Sequence, residues 1–123
     1  MIPNKIPCKT VLVVEDDFDI RESIKDFLEI EKFSVLTASN GQEALDVLKA
    51  APKPCLVLLD MMMPIMDGRE FLDIVMKDAV LAPIPVFVIS AVATKDNTLG
   101  SVGFIKKPAD LNLILKMVQD YCS

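Results

Sequence analysis

TVLVVEDDFDIRESIKDFLEIEKFSVLTA, residues 10–38, decides the fold because its apolar period changes twice. Thr10 to Val14 is a β-branched run of strand composition. In the segment that follows, Ile20, Ile24, Phe27 and Leu28 recur on one helical face, and Ser34 to Ala38 returns to a strand pattern. A strand, a helix and a strand in succession form a βαβ unit, which places the two strands parallel with a right-handed crossover.

The same alternation continues toward the C-terminus. Asn40 opens a helix with an Ala44, Leu45 and Leu48 stripe, and Leu56 to Leu59 is an entirely apolar strand, the pattern of a central strand covered on both faces. A helix over Arg69 to Lys77 turns Phe71, Leu72, Val75 and Met76 inward, and strands follow at Val86 to Ile89 and Gly103 to Ile105. A last helix runs from Ala109 to Tyr121 on Leu111, Ile114, Leu115 and Val118. Five strands and five helices in alternation predict an α/β, doubly wound parallel sheet of flavodoxin-like order 2-1-3-4-5. Residues 1–9 are expected to be a tail and residues 10–123 one domain.

Composition narrows the function. A net charge of −5 without a basic cluster argues against direct nucleic-acid binding. No apolar run approaches the roughly 18 residues of a membrane span. Three cysteines, Cys8, Cys55 and Cys122, are odd in number and lack metal-ligand spacing, which fits reduced thiols and a cytoplasmic location. There is no histidine, so imidazole chemistry must come from a partner.

In a doubly wound sheet the functional crevice lies at the carboxyl ends of the strands, where the winding reverses. There the sequence carries Glu15, Asp16 and Asp17 after strand 1, Asp60 after strand 3, Ser90 after strand 4, and Lys106 and Lys107 after strand 5. Each has a plainer local reading. Asp16 or Asp17 caps the first helix, Asp60 and Asp67-Gly68 are turn residues, Ser90 is a loop hydroxyl, the lysines are a solvated rim, and Met61 to Met63 fill gaps beside a core. Together they make a sharper pattern. Two carboxylates about 4 Å apart repel by roughly 4 kcal/mol at an effective dielectric near 20, so converging acids require a positive partner. Mg²⁺ suits carboxylates plus a phosphate, and Lys107 adds a fixed charge; a carboxylate nucleophile beside both is an acceptor for phosphoryl transfer.

VLVVEDD, LLDMMMPIMDG, VISA and FIKKP, in that order, resemble the signature blocks of the response-regulator receiver domain of two-component signalling. The resemblance implies phosphorylation of Asp60 by a phosphohistidine on a sensor histidine kinase or histidine phosphotransfer protein, and a phosphorylation-driven switch that acts on a downstream protein target. It further implies Asp16 as a direct Mg²⁺ ligand, Glu15 as a ligand through water, the Met62 backbone carbonyl as the remaining protein ligand, and Ser90 as the hydroxyl that grips the phosphoryl group. Ala91 is the small residue that leaves it room, Lys107 is the fixed cation with a cis bond to Pro108, and Phe104 is an aromatic switch, for which a plain core phenylalanine is an equal reading.

One spacing departs from the family. Only 17 positions separate Ser90 from Lys107, several fewer than usual, which predicts a short helical turn or irregular loop in place of a normal fourth helix. The stripe Leu113, Met117 and Tyr121 on the last helix is then a candidate weak homodimer or partner contact, against ordinary burial. Competing functions meet specific obstacles. A haloacid-dehalogenase-type phosphatase needs a second acid where Met62 stands, and an FMN carrier needs a phosphate loop where EDDFD stands. A degenerate receiver that only binds protein would not need the full set Asp16, Asp60, Ser90 and Lys107.

Overall fold

The computed structural model describes residues 8–50 and 52–122; most of the expected tail, residues 1–7, lies outside them. The elements run β1 (Thr10–Val14), α1 (Phe18–Ile30), β2 (Ser34–Ala38), α2 (Gly41–Ala50), β3 (Leu56–Leu59), α3 (Gly68–Lys77), β4 (Val86–Ile89), β5 (Gly103–Ile105) and α4 (Leu111–Tyr121). All four strand pairings are parallel, in the order β2-β1-β3-β4-β5, as the alternating periods predict.

Strand periodicity sorts the core into two layers. Leu12, Val14, Val57, Leu59, Val86 and Val88 face α2 and α3, where they meet Ala44, Leu45, Leu48, Phe71, Leu72 and Val75. The alternate residues Val11, Val13, Leu56, Leu58, Phe87 and Ile89 pack on Ile24 and Leu28 of α1 and on Ile114 and Val118 of α4. Because helices cover both faces, β1, β3 and β4 are apolar at consecutive positions, and in these central strands polar groups come only at the ends.

Four local expectations need correction. Four helices, not five, form among the described residues: residues 91–102 make a run of turns, the irregular crossover expected from the shortened spacing. Met76 does not face the core; it is half-exposed and lies against Gly100 of that crossover, where a Cβ would meet its Sδ. Of the three adjacent methionines, Met61 is buried and Met63 packs on the core, but Met62 is exposed. Finally, the cysteines are not all free thiols. Cys55, just before β3, and Cys122, just after α4, are joined by a disulfide with Cα atoms 5.4 Å apart, which leaves Cys8 free and exposed. On the stripe of α4, Leu113 and Tyr121 are exposed while Met117 packs against the core. No described helix is long and apolar enough to cross a membrane.

Candidate functional site

The first residue after β1, β3 and β4 and the second after β5 are still held by the sheet. The Glu15 amide donates to Ala38 O at 3.0 Å and the Asp60 amide to Val14 O at 3.0 Å. The Ser90 amide donates to Ile105 O at 3.1 Å, and the Lys107 amide donates to Ser90 O at 3.3 Å. Backbone pairing therefore carries these side chains to one edge with little conformational freedom left to lose.

Lys107 is the centre of the cluster. Its Nζ lies 2.5 Å from Glu15 Oε1 and 3.2 Å from Asp60 Oδ2, so residues 92 and 47 positions away meet on one ammonium. Glu15 and Asp60 are buried, at 3% and 6% exposure, whereas Asp16 is exposed at the pocket's mouth. One cation cannot neutralise two buried acids. Burial pushes the Glu15 carboxyl up to about 7 and the Asp60 charge adds to this, against the pull of Lys107 and of the Asp17 amide on Oε2. Burial alone would lower the Lys107 ammonium, but its bond to Glu15 and the charge of Asp60 hold it above its ordinary value.

Carboxylate oxygens of Glu15, Asp16 and Asp60 can lie within 4.8 Å of one another. Three converging hard oxygen donors with surplus negative charge fit a divalent hard cation such as Mg²⁺. Beside them is a depression of about 410 Å³ between Asp16, Met61, Met62, Met63, Pro64 and Asp67, room for a hydrated ion at the mouth. The Met62 amide, at 3.4 Å, donates to Asp60 Oδ1 and orients that carboxylate.

The remaining candidates occupy distinct places. Ser90 is buried and its Oγ accepts from the Val92 amide at 3.4 Å, not from the acid cluster. Ala91 is exposed beside it, and Lys106 points outward from Lys107, whose bond to Pro108 is cis. Phe104 is 37% exposed and joins neither core layer; it borders a shallow cavity with Leu99 and Val102, which overturns the core reading of this residue.

Of the two cap candidates the sequence offers, Asp17 is the cap of α1, accepting from Ile20 N at 3.0 Å, which leaves Asp16 free for the pocket. Other positioning groups are not apparent from sequence. Arg21 donates to the Glu15 carbonyl at 2.8 Å and fixes the end of β1. Asp67, expected as a turn residue, forms a capping box with Glu70, a D-x-x-E signal present in the sequence. Ile65 adopts φ +69° in a γ-turn closed by Met66 N to Pro64 O at 2.7 Å, a strained conformation for a β-branched residue at the rim of the site.

A doubly wound parallel sheet whose carboxyl edge gathers three acids and a lysine defines an α/β domain with an acidic pocket at its topological switch point. Residues 11–119 match the response regulator receiver domain family, and the chain belongs to it. It is a receiver domain of two-component signalling, a family of signalling switches. It is 41% identical over 120 residues to a protein-glutamate methylesterase/protein-glutamine glutaminase of Geobacillus kaustophilus, covering 89% of this chain and 33% of that protein. Among solved structures it resembles a CheY-like response regulator receiver domain protein from Methanospirillum hungatei (TM-score 0.83, 26% identity, 92% of each chain). It also resembles the chemotaxis response regulator CheY4 of Vibrio cholerae (TM-score 0.81, 25% identity, 93% of this chain and 98% of that one). The chain spans 33%, 51% and 45% of three curated relatives, so their additional activities belong to those longer proteins.

Proposed function

We propose that residues 10–123 act as a phosphoacceptor receiver that takes a phosphoryl group onto Asp60 from a phosphohistidine of a sensor histidine kinase or histidine phosphotransfer protein and thereby switches conformation toward a downstream protein target. The observation that carries this reading is the meeting of Asp60, Lys107 and Glu15, from three distant parts of the chain, in one half-dry pocket. In the reaction an Asp60 oxygen forms a bond to phosphorus as the phosphorus–nitrogen bond of the donor breaks, and the donor imidazole leaves with the electron pair. Lys107 already touches Asp60 Oδ2 and supplies positive charge beside the incoming group. Asp16, Asp60 and the Met62 carbonyl would hold Mg²⁺ directly and Glu15 through water. Bound there, the ion neutralises phosphoryl oxygen charge. Ser90 closes on the phosphoryl group from β4, small Ala91 leaves it space, and Phe104 reports the change by moving from its exposed position. A cytoplasmic location, where such kinases present their phosphohistidine, is part of the proposal.

Incubation with a small phosphodonor and Mg²⁺, followed by intact mass measurement, tests it. One added phosphoryl group is expected in the wild type, with none in Asp60→Asn and none after chelation of the metal. A wild-type chain that gains no mass would overturn the reading.

A further inference from the structure

The crossover from β4 to β5 begins at Ser90 and contains no helix, yet it is closely tied. Thr94 N donates to Asn97 Oδ1 at 2.8 Å and Asn97 N to Thr94 Oγ1 at 3.1 Å. Asn97 Nδ2 donates to Val92 O at 2.8 Å, and Thr98 Oγ1 to Thr94 O at 2.6 Å. Those bonds are internal to the crossover and make residues 92–98 one unit. From outside it, among the described residues, the side-chain hydrogen bonds come from Arg69: Nη1 donates to Asn97 O at 2.9 Å and Nη2 to Leu99 O at 2.9 Å.

Arg69 is well placed to couple this unit to the acceptor. It follows Gly68, where a Cβ would lie 2.6 Å from Asp60 O and 2.7 Å from Met61 Cα, so the start of α3 sits directly on the acceptor's backbone. The Gly68 amide also donates to Met61 O at 2.9 Å. Asp73 braces the guanidinium by accepting from Nε at 3.2 Å and Nη2 at 2.8 Å. Arg69 thus spans the short distance between the loop after Asp60 and the loop after Ser90.

We propose that Arg69 is a positioning residue that holds the crossover in its resting place, and that phosphorylation of Asp60 breaks this fork and frees residues 92–102. The inference rests on the phosphoryl-transfer reading. In the resting state the Ser90 hydroxyl faces the Val92 amide; engaging a group on Asp60 turns it away and displaces the 90–93 turn. Asn97 Nδ2 transmits that displacement from Val92 to the carbonyls that Arg69 grips. A planar fork tolerates little lateral movement, because its two donors must stay aligned with both acceptors at once. Release is inexpensive: the guanidinium keeps Asp73, and the freed carbonyls belong to a half-buried Asn97 and an exposed Leu99 on an outer loop. The regulated face is then the crossover, which has no helix of its own, and its border with α3.

Hydrogen exchange read by mass spectrometry, with Mg²⁺ and a small phosphodonor and with intact mass recorded on the same samples, tests the proposal. In the wild type, phosphorylation should speed exchange across residues 94–102 by about tenfold, the scale of losing charge-assisted hydrogen bonds. Arg69→Ala should exchange at that faster rate without donor, respond little to it, and gain phosphate several-fold faster. Arg69→Lys, a point charge that cannot fork, should resemble Arg69→Ala, and Asp73→Asn should move the same way by less. A phosphorylated wild type whose crossover exchange is unchanged overturns the proposal while the phosphoryl-transfer reading stands. Equal phosphorylation rates and an intact exchange response in Arg69→Ala do the same. A wild type that gains no phosphoryl mass rejects the underlying reading instead.

Discussion

Glu15 pairs with Lys107 yet carries a raised carboxyl, because burial and the nearby Asp60 outweigh the ammonium they share. With a folded value of about 7 against 4.5, the folded state holds this proton more tightly than the unfolded chain does. The group costs nothing below the lower value, and its destabilisation grows as pH rises between the two and is complete above about 7. Metal-free Glu15→Gln should therefore gain thermal stability relative to wild type at pH 8 and lose that advantage near pH 4; equal differences at both pH values would contradict this. Mg²⁺ should narrow the gap at pH 8 by neutralising the wild-type acid. Met62 and Val92, two residues after Asp60 and Ser90 respectively, are both exposed and apolar, so neither orients a hydrolytic water. Phosphate on Asp60 should persist for minutes or longer at neutral pH with Mg²⁺, followed by intact mass; loss within seconds would show that another group positions the water.

The β3–α3 connection shows how an element boundary can serve the site. Asp67 and Glu70 cap each other across the first turn of α3, so Asp67→Ala should lower stability by about 1 kcal/mol in denaturant titration and leave phosphorylation nearly intact. Gly68→Ala is a different case. The new methyl meets the fixed backbone of Asp60 and Met61 as well as the movable Met61 side chain, so α3 must shift away from the Asp60 loop. Its phosphorylation rate should fall at least tenfold even where the variant remains folded by circular dichroism; a wild-type rate would show that α3 need not seat on Asp60. At this scale much was legible. Strand bounds followed from apolar runs, and the missing helix from the short Ser90 to Lys107 spacing. Asp67 is not legible as a cap because Asp-Gly signals a turn and a helix start alike, and only the Glu70 bond separates the two. The inward reading of Met76 and the core reading of Phe104 fail for a related reason: periodicity gives a face, but the missing helix changes what that face meets.

Across the whole molecule, the convergence of Glu15, Asp60, Ser90 and Lys107 was legible because parallel order alone sends every strand's carboxyl end to one edge. The Cys55–Cys122 disulfide was not, since pairing depends on a distance between the start of β3 and the end of α4 that no spacing rule encodes. That bridge joins residues 67 positions apart and encloses Asp60, Ser90 and Lys107 in the closed loop. Closing a loop of this size restricts the unfolded chain and stabilises the fold by about 4 kcal/mol in the chain-entropy model. The oxidised protein should be lighter than the reduced one by two hydrogens, and reduction or Cys122→Ser should lower its thermal midpoint by many degrees. The bridge lies before β3 and after α4, and the site lies after the strands, so the bridge touches none of the site's side chains. Well below the lower midpoint, the reduced chain should therefore gain phosphate on Asp60 as fast as the oxidised one. A rate that falls with reduction would mean that the anchorage of α4 reaches Lys107 through the β5–α4 connection, and that the thiol state sets the responsiveness of the switch.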